Sequence, residues 1–343
     1  MRLLILGGSW FLGRAIVEEA MVDGWSVTAF NRGRSSAPLP GVEIVHGDRA
    51  NAKDFVRLAE RGPWDAVIDT IGWVPNQVLA AATALAPAVD HYLYVSTVNA
   101  YLGWPNIPID EDSPLFDCPP DAGEDFRKEL GEAGHYGTQK AGCERAARQA
   151  LGDSRVTALR PGVILGPREY VGRLTSWLTR AARGGELLAP GPSTRSIQPV
   201  DVRDVAAFAL RCGRERIAGD YNVTAPIGSA TFADLVDACV EVTGAGSRPV
   251  WVDPAWLTRQ GVRQWTEVPL WRTTDGVWQV SSSRAQEAGL RCRPLPVTVA
   301  DTWSWMTRGG TAVREEAGEA ARAAEHGLDP GQEAVLLQRW QEA

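Results

Sequence analysis

Cysteine is scarce in this sequence and falls in no ligand pattern. Its five copies in 343 residues, at 118, 143, 212, 239 and 292, include no Cys-x-x-Cys pair, and the four histidines form no ligand-spaced cluster. Neither a disulfide framework nor a bound metal is expected, and the chain suits a reducing, cytoplasmic compartment. Long apolar runs are missing too. Nothing approaches the roughly 20 residues that cross a bilayer, and the N-terminus enters a strand directly, with no basic flank, signal core or cleavage site. Surplus positive charge is also absent. A net charge of −7 and a pI near 5.3 weigh against a general nucleic-acid binder, because phosphate contact favours basic surfaces.

What is present begins at once. Leu3-Leu4-Ile5-Leu6 is a continuous apolar run, as buried parallel strands are. It breaks at Gly7-Gly8, passes Ser9-Trp10-Phe11-Leu12-Gly13, and leads into apolar residues at helical spacing over 11–23. A glycine turn between strand and helix aims helix N-terminal amides at a phosphate. The spacing is Gly-Gly-x-x-x-x-Gly, with Trp10 where a dinucleotide loop often has its middle glycine. The indole is expected to turn outward, with Trp10–Leu12 amides meeting a pyrophosphate.

Strands and helices then alternate: strand 25–30, strand 42–46, helix 51–61, strand 66–69, helix 76–86, strand 92–95. This pattern predicts an α/β fold with a doubly wound parallel sheet. The second strand ends in Asn31-Arg32-Gly33-Arg34. An acidic residue there would hold ribose hydroxyls, whereas Asn31, Arg32 and Arg34 suit a 2′-phosphate, so NADP is expected ahead of NAD. Asp48, with Arg49 beside it, follows the third strand and is placed either to meet the adenine end of a cofactor or to cap a helix. Thr70, Ile71 and Gly72 lie at the carboxyl edge of the fourth strand, where such sheets bind ligands.

The fifth strand ends with Ser96 and Thr97, and Tyr136 and Lys140 follow four apart on one predicted helix. A phenol of ordinary pKa near 10 is a poor acid-base group at neutral pH. A neighbouring ammonium and a positive nicotinamide ring would both lower that pKa. A hydroxyl from Thr97 would orient the substrate oxygen.

These pieces resemble the short-chain dehydrogenase/reductase superfamily, in its extended and atypical branches close to the epimerase/dehydratase proteins. The resemblance rests on Gly7–Gly13, Val95-Ser96-Thr97-Val98-Asn99-Ala100-Tyr101, Tyr136-x-x-x-Lys140, Arg160–Pro167 and Val200–Ala206, in the right order over residues 1 to roughly 310. It implies a Rossmann fold in which Tyr136 is the acid-base group, Lys140 binds the nicotinamide ribose and Thr97 polarises the carbonyl. Thr97 is chosen over Ser96 because the family's hydroxyl lies four residues before the motif tyrosine, here Tyr101. Ser96 is assigned to the cofactor side, and Pro161, Gly162 and Val163 to the loop beneath the nicotinamide.

Two departures stand out. A bulky residue at position 10 resembles the atypical group that includes the chloroplast stem-loop RNA-binding proteins. Sugar-nucleotide members carry an arginine at the position occupied here by Ile197, with Arg195 two residues earlier on the same strand face.

Residues 1–170 are therefore expected to be mainly the dinucleotide-binding domain and 171–310 mainly a substrate-binding portion, interleaved near 196–223. A helical tail covers 311–343. The proline- and acid-rich segment 102–134 reads as a lid or as a packed surface insertion. Eight of 14 tryptophans lie at or beyond position 251, as core or as walls of an aromatic or apolar pocket. The expected function is NADP(H)-dependent reduction of a carbonyl or imine in a small metabolite, with NAD also possible as cofactor. The alternatives are an NAD-dependent sugar-nucleotide epimerase or dehydratase and a non-catalytic cofactor- or RNA-binding protein. A small-molecule substrate is expected, with a homodimer possible and no nucleic acid, membrane or metal.

Overall fold

The computed structural model describes residues 1–33, 39–310 and 326–343, so Arg34 and residues 311–325 of the expected helical tail lie outside the described residues. The chain forms two compact units. The first comprises Met1–Gly162, Val202–Thr224 and Val280–Arg291; the second comprises Val163–Asp201, Ala225–Gln279 and Cys292–Ala343. The first crossing thus falls at Gly162 rather than at 170, and 280–291 joins the first unit. That return is held by backbone pairing, with Ser281 N donating to Ile109 O at 2.8 Å and Val280 bridging Ile109.

The first unit is built on seven parallel strands. These are β1 (Arg2–Leu6), β2 (Ser26–Asn31), β3 (Glu43–His46), β4 (Trp64–Asp69), β5 (Val89–Val95), β6 (Val156–Pro161) and β7 (Gly219–Val223). They run in the order β7-β6-β5-β4-β1-β2-β3. Leu3 to Leu6 are all fully buried, because helices cover both faces of β1. With side chains alternating, Leu4, Leu6, Val67, Tyr92 and Tyr94 join one core. That core also takes residues of α2 (Ala52–Glu60), α3 (Pro75–Leu85) and α4 (Gly131–Leu151). Helices α1 (Phe11–Val22) and α5 (Val202–Glu215) pack on each other. Strand order reverses at β1, so a crevice opens where β1 and β4 end, the place such sheets bind ligands.

The second unit is made of helices with short strand pairs. Glu186–Pro190 runs parallel to Arg248–Val252, and Ser196–Ile197 runs antiparallel to Ala230–Thr231. Thr231 caps helix Phe232–Thr243 in a reciprocal box with Asp234. The C-terminal helix Pro330–Gln341 packs within this unit, burying Leu336 and Leu337 and setting Trp340 5.2 Å from Trp256. Among the described residues no helix is long and apolar enough to cross a membrane, and no group of side chains has metal-binding arrangement.

Candidate active site

The first turn of the chain is a cradle that side chains cannot fill. Gly7 has φ +115° and Gly8 φ +91°, in the region L side chains rarely adopt. A Cβ on Gly7 would lie 2.2 Å from Thr70 Oγ1, which itself donates to Leu6 O at 2.9 Å. A Cβ on Gly13 would lie 2.7 Å from the Gly8 amide nitrogen, so this third glycine lets α1 approach the turn. Helix α1 starts with no side-chain cap and no acidic residue in its first turn, which suits an anion at its positive end. These features fit a dinucleotide phosphate. Trp10, the α1 N-cap, differs from expectation. It is half-buried, its indole nitrogen is shielded from solvent, and Phe11 and Leu12 are buried. An indole is too large and apolar to leave in water when packing is available.

At the carboxyl end of β5 the chain turns into a short 3₁₀ helix, Val98–Ala100, capped by Thr97. Thr97 Oγ1 accepts from Asn99 N at 3.2 Å and Asn99 Nδ2 at 3.1 Å, and its own O–H is the donor it offers. Gly137 of α4 sits against this turn so closely that a Cβ there would be 2.0 Å from Asn99 O. The glycine therefore brings Tyr136 up to the Thr97 turn.

One helical turn on, Lys140 is 4% exposed. Its Nζ donates to Gly72 O at 2.9 Å and Val95 O at 2.6 Å, and lies 4.3 Å from the Tyr94 ring centroid. Burial pushes the ammonium down to about 8, opposed by Cys143 and Asp69, so it is still mainly a cation at neutral pH. With two donors spent, one of its three remains. The structure thus brings Thr97, Tyr136 and Lys140 to one end of β4 and β5.

Other expected residues are committed elsewhere. Ser96 Oγ donates to Glu144, so it faces the interior rather than a cofactor. Glu144 in turn holds Arg160, with Arg160 Nη2 to Glu144 Oε2 at 2.7 Å and both side chains at most 3% exposed. Arg160 Nη1 donates to the Tyr101 hydroxyl at 2.8 Å, which donates to Asn222 Oδ1 at 2.8 Å. Arg49 is likewise not a surface cation. It pairs bidentately with the buried Asp69, at 2.8 and 2.6 Å, and Tyr92 donates to the same carboxylate at 2.8 Å. A buried arginine without a counter-ion is costly, and Asp69 is the acid within reach.

The adenosine end is partly described. Asn31 Oδ1 accepts from Gly33 N at 2.8 Å, closing a turn that leaves Arg32 exposed. Asp48 is exposed and accepts from Ala50 N at 2.9 Å in the turn before α2, whose cap is Asn51, so Asp48 is not itself the helix cap. Ile71 N donates to Asp69 Oδ1 at 3.1 Å. Gly72 cannot carry a side chain, because a Cβ would be 2.6 Å from the Tyr94 ring. Pro161 ends β6, and Gly162 N donates to Val223 O at 3.3 Å. Val163, the first residue of the second unit, is buried and accepts from Val200 N at 2.9 Å.

Segment 102–134 is packed down rather than hinged. Arg145 Nη1 donates to Phe116 O and Cys118 O, both at 2.9 Å, and Gln139 Nε2 reaches Gly123 O at 3.0 Å. In the second unit Ile197 is fully buried, and Arg195 donates to Thr274 O at 3.3 Å. The Arg272 guanidinium lies 4.1 Å from the Trp265 ring centroid and that of Arg173 5.5 Å. Burial and the Arg173 charge push Arg272 below its ordinary range.

Sequence reasoning missed Trp73, whose ring centroid is 5.3 Å from that of Tyr136 and whose side chain is exposed. It also missed the roles of Asp69, Gly137 and Glu144. Glu144 had a usable signal, being four residues past Lys140 on the helix stripe that faces the sheet.

Several known proteins resemble this chain. A chloroplast stem-loop binding protein of Arabidopsis thaliana is 28% identical over 71% of this chain and 63% of its own length. The 2′-dehydrokanamycin reductase of Streptomyces kanamyceticus is 28% identical over 76% of this chain and 72% of its own. The Bordetella bronchiseptica enzyme WbmG, solved with NAD and UDP, superposes with a TM-score of 0.65 at 19% identity, over 90% of this chain and 96% of that one. That likeness extends to the Rossmann fold. Residues 3–224 match the NAD dependent epimerase/dehydratase family, whose members depend on NAD or NADP, and the chain belongs to that family.

Proposed function

We propose that this protein is an NADPH-dependent reductase acting on a carbonyl or imine of a small metabolite. The observation that carries the reading is the dry, hydrogen-bonded Lys140 one turn from Tyr136, on a helix seated against the Thr97 turn. A bound nicotinamide dinucleotide supplies the hydride. Thr97 donates a hydrogen bond to the acceptor oxygen or nitrogen and fixes its direction. Tyr136 gives up the phenolic proton as negative charge develops on that atom. Lys140 offers its remaining donor to a ribose hydroxyl, and its charge favours the phenolate left behind. Gly7, Gly8 and the start of α1 hold the pyrophosphate, and Asn31 with exposed Arg32 favours a 2′-phosphate over free ribose hydroxyls.

The net charge of −7 and the lack of any Cys-x-x-Cys pair support a small metabolite, rather than RNA, in a reducing cytoplasm. A homodimer remains part of the proposal without bearing on the site. Reduction is preferred because Ile197 is buried where sugar-nucleotide enzymes place a diphosphate-binding arginine. The family's own description, which names both activities, favours the epimerase or dehydratase reading instead. Purification separates the two. Freely exchangeable NADPH that binds more tightly than NADH supports the reductase. Stoichiometric NAD⁺ retained through gel filtration supports the epimerase or dehydratase and overturns it.

A further inference from the structure

Trp73 stands apart from the other tryptophans. Trp25, Trp64, Trp177, Trp256, Trp271 and Trp278 are all less than 9% exposed, whereas Trp73 is 56% exposed. It is nevertheless held firmly. It follows Gly72, whose carbonyl accepts from Lys140 and from the Tyr94 hydroxyl, and precedes Val74, the cap of α3, with Pro75 at the first helical position. One part of its ring packs on Tyr136 at 5.3 Å with the planes tilted by 43°, and the Lys140 ammonium lies 5.8 Å from its centroid. A backbone pinned on both sides thus presents a rigid indole, still largely uncovered, beside the assigned proton donor. Exposed apolar area of this size, fixed in place, is what a binding partner covers.

We propose that Trp73 is a specificity-determining residue that gives the acceptor an apolar, planar wall, so that the site prefers carbonyl compounds carrying a ring or other flat apolar group. The proposal rests on the reductase reading. The acceptor's reacting oxygen meets Thr97 and Tyr136 while its apolar face lies on the indole. A ring packed on Trp73 is held before the proton moves, so the contribution falls on KM more than on kcat.

The test compares 2-butanone with 4-phenyl-2-butanone, which share the reacting carbonyl and differ by a phenyl group. With NADPH present, the native enzyme is expected to favour the phenyl compound about tenfold in kcat/KM, mostly through KM. Trp73→Ala is expected to abolish that preference, lowering kcat/KM about tenfold more for the phenyl compound than for 2-butanone, while Trp73→Phe restores most of it. NADPH affinity stays unchanged in both variants, as a merely structural role for the indole does not predict. Saturation-transfer NMR of the same ketones in the NADP⁺ complex gives a readout independent of turnover. If neither ketone is reduced, the reductase reading has failed for them, but a phenyl signal lost in Trp73→Ala still supports the wall. No phenyl preference in the native protein by either method, or an equal loss for both ketones in Trp73→Ala, overturns the proposal.

Discussion

The Thr97–Tyr136–Lys140 end of the first unit and the tryptophan-rich stretch 251–279 of the second are both crowded with large side chains, yet they are held in different ways. In the first, buried charges meet directed partners: Arg49 with Asp69, Arg160 with Glu144, and Lys140 with two backbone carbonyls. In the second, the indole nitrogens of Trp271 and Trp278 are buried with no hydrogen-bond partner among the described residues, and Arg173 and Arg272 rest on the face of Trp265. Directed bonds fix positions to tenths of an ångström, as proton transfer requires. Packing of rings tolerates many arrangements, as recognition of a substrate's bulk allows.

If the contrast is real, damage at the Thr97–Tyr136–Lys140 end should be severe and specific. The largest effect is expected from Tyr136→Phe, which loses the acid-base proton. Its kcat/KM should fall by about 10²- to 10⁴-fold while NADPH affinity, measured by titration, stays as it was. Unchanged turnover would remove Tyr136 from its assigned role.

Next comes the ion pair behind Ser96. Glu144→Gln leaves the Arg160 charge buried without its main partner and should cost about 3–5 kcal/mol in urea unfolding. A Glu144→Gln/Arg160→Met double variant should recover part of that loss; a double variant as unstable as the sum of the two singles would mean the pair is not what holds this region.

A smaller change is expected at the edge. Arg32→Ala should weaken NADPH by about 1–3 kcal/mol and leave NADH nearly untouched. Equal weakening of both cofactors would contradict the 2′-phosphate assignment.

The smallest effect is electrostatic. The folded Lys140 releases its proton near pH 8, below the unfolded value of 10.5. The unfolded chain therefore binds more protons between these values, and stability from this group rises with pH across that window. From pH 7 to 8.5 the gain is less than about 1 kcal/mol, and it should vanish in Lys140→Met. A decline that depends on Lys140 over the same range would reverse the assigned burial effect.

The same contrast explains what was legible in the sequence. The alternating sheet, Gly7, Gly8 and Gly13, and the Tyr136–Lys140 spacing are local patterns imposed by backbone geometry, and the structure assembles them as expected. Ser96 and Arg49 were misassigned because their partners, Glu144 and Asp69, are 48 and 20 residues away and lie beside them only through the fold. Trp10 was expected outside so that its indole would not block the pyrophosphate, and the structure half-buries it instead. Trp73 went unnoticed since a single tryptophan after a strand carries no periodicity. The return of 280–291 to the first unit depends on Ile109 and Asn222, which no spacing rule connects to it.

The most direct test of the central claim is isotopic. NADPH carrying deuterium at both C4 positions of the nicotinamide is incubated with the protein and a panel of small carbonyl and imine acceptors, and the products are read by mass spectrometry. The account predicts a product one deuterium heavier on the former carbonyl or imine carbon, formed with a matching amount of NADP⁺ and lost in Tyr136→Phe. Conversion of a sugar nucleotide by the protein with no net oxidation of added NADPH, and no deuterium in the product, would contradict it.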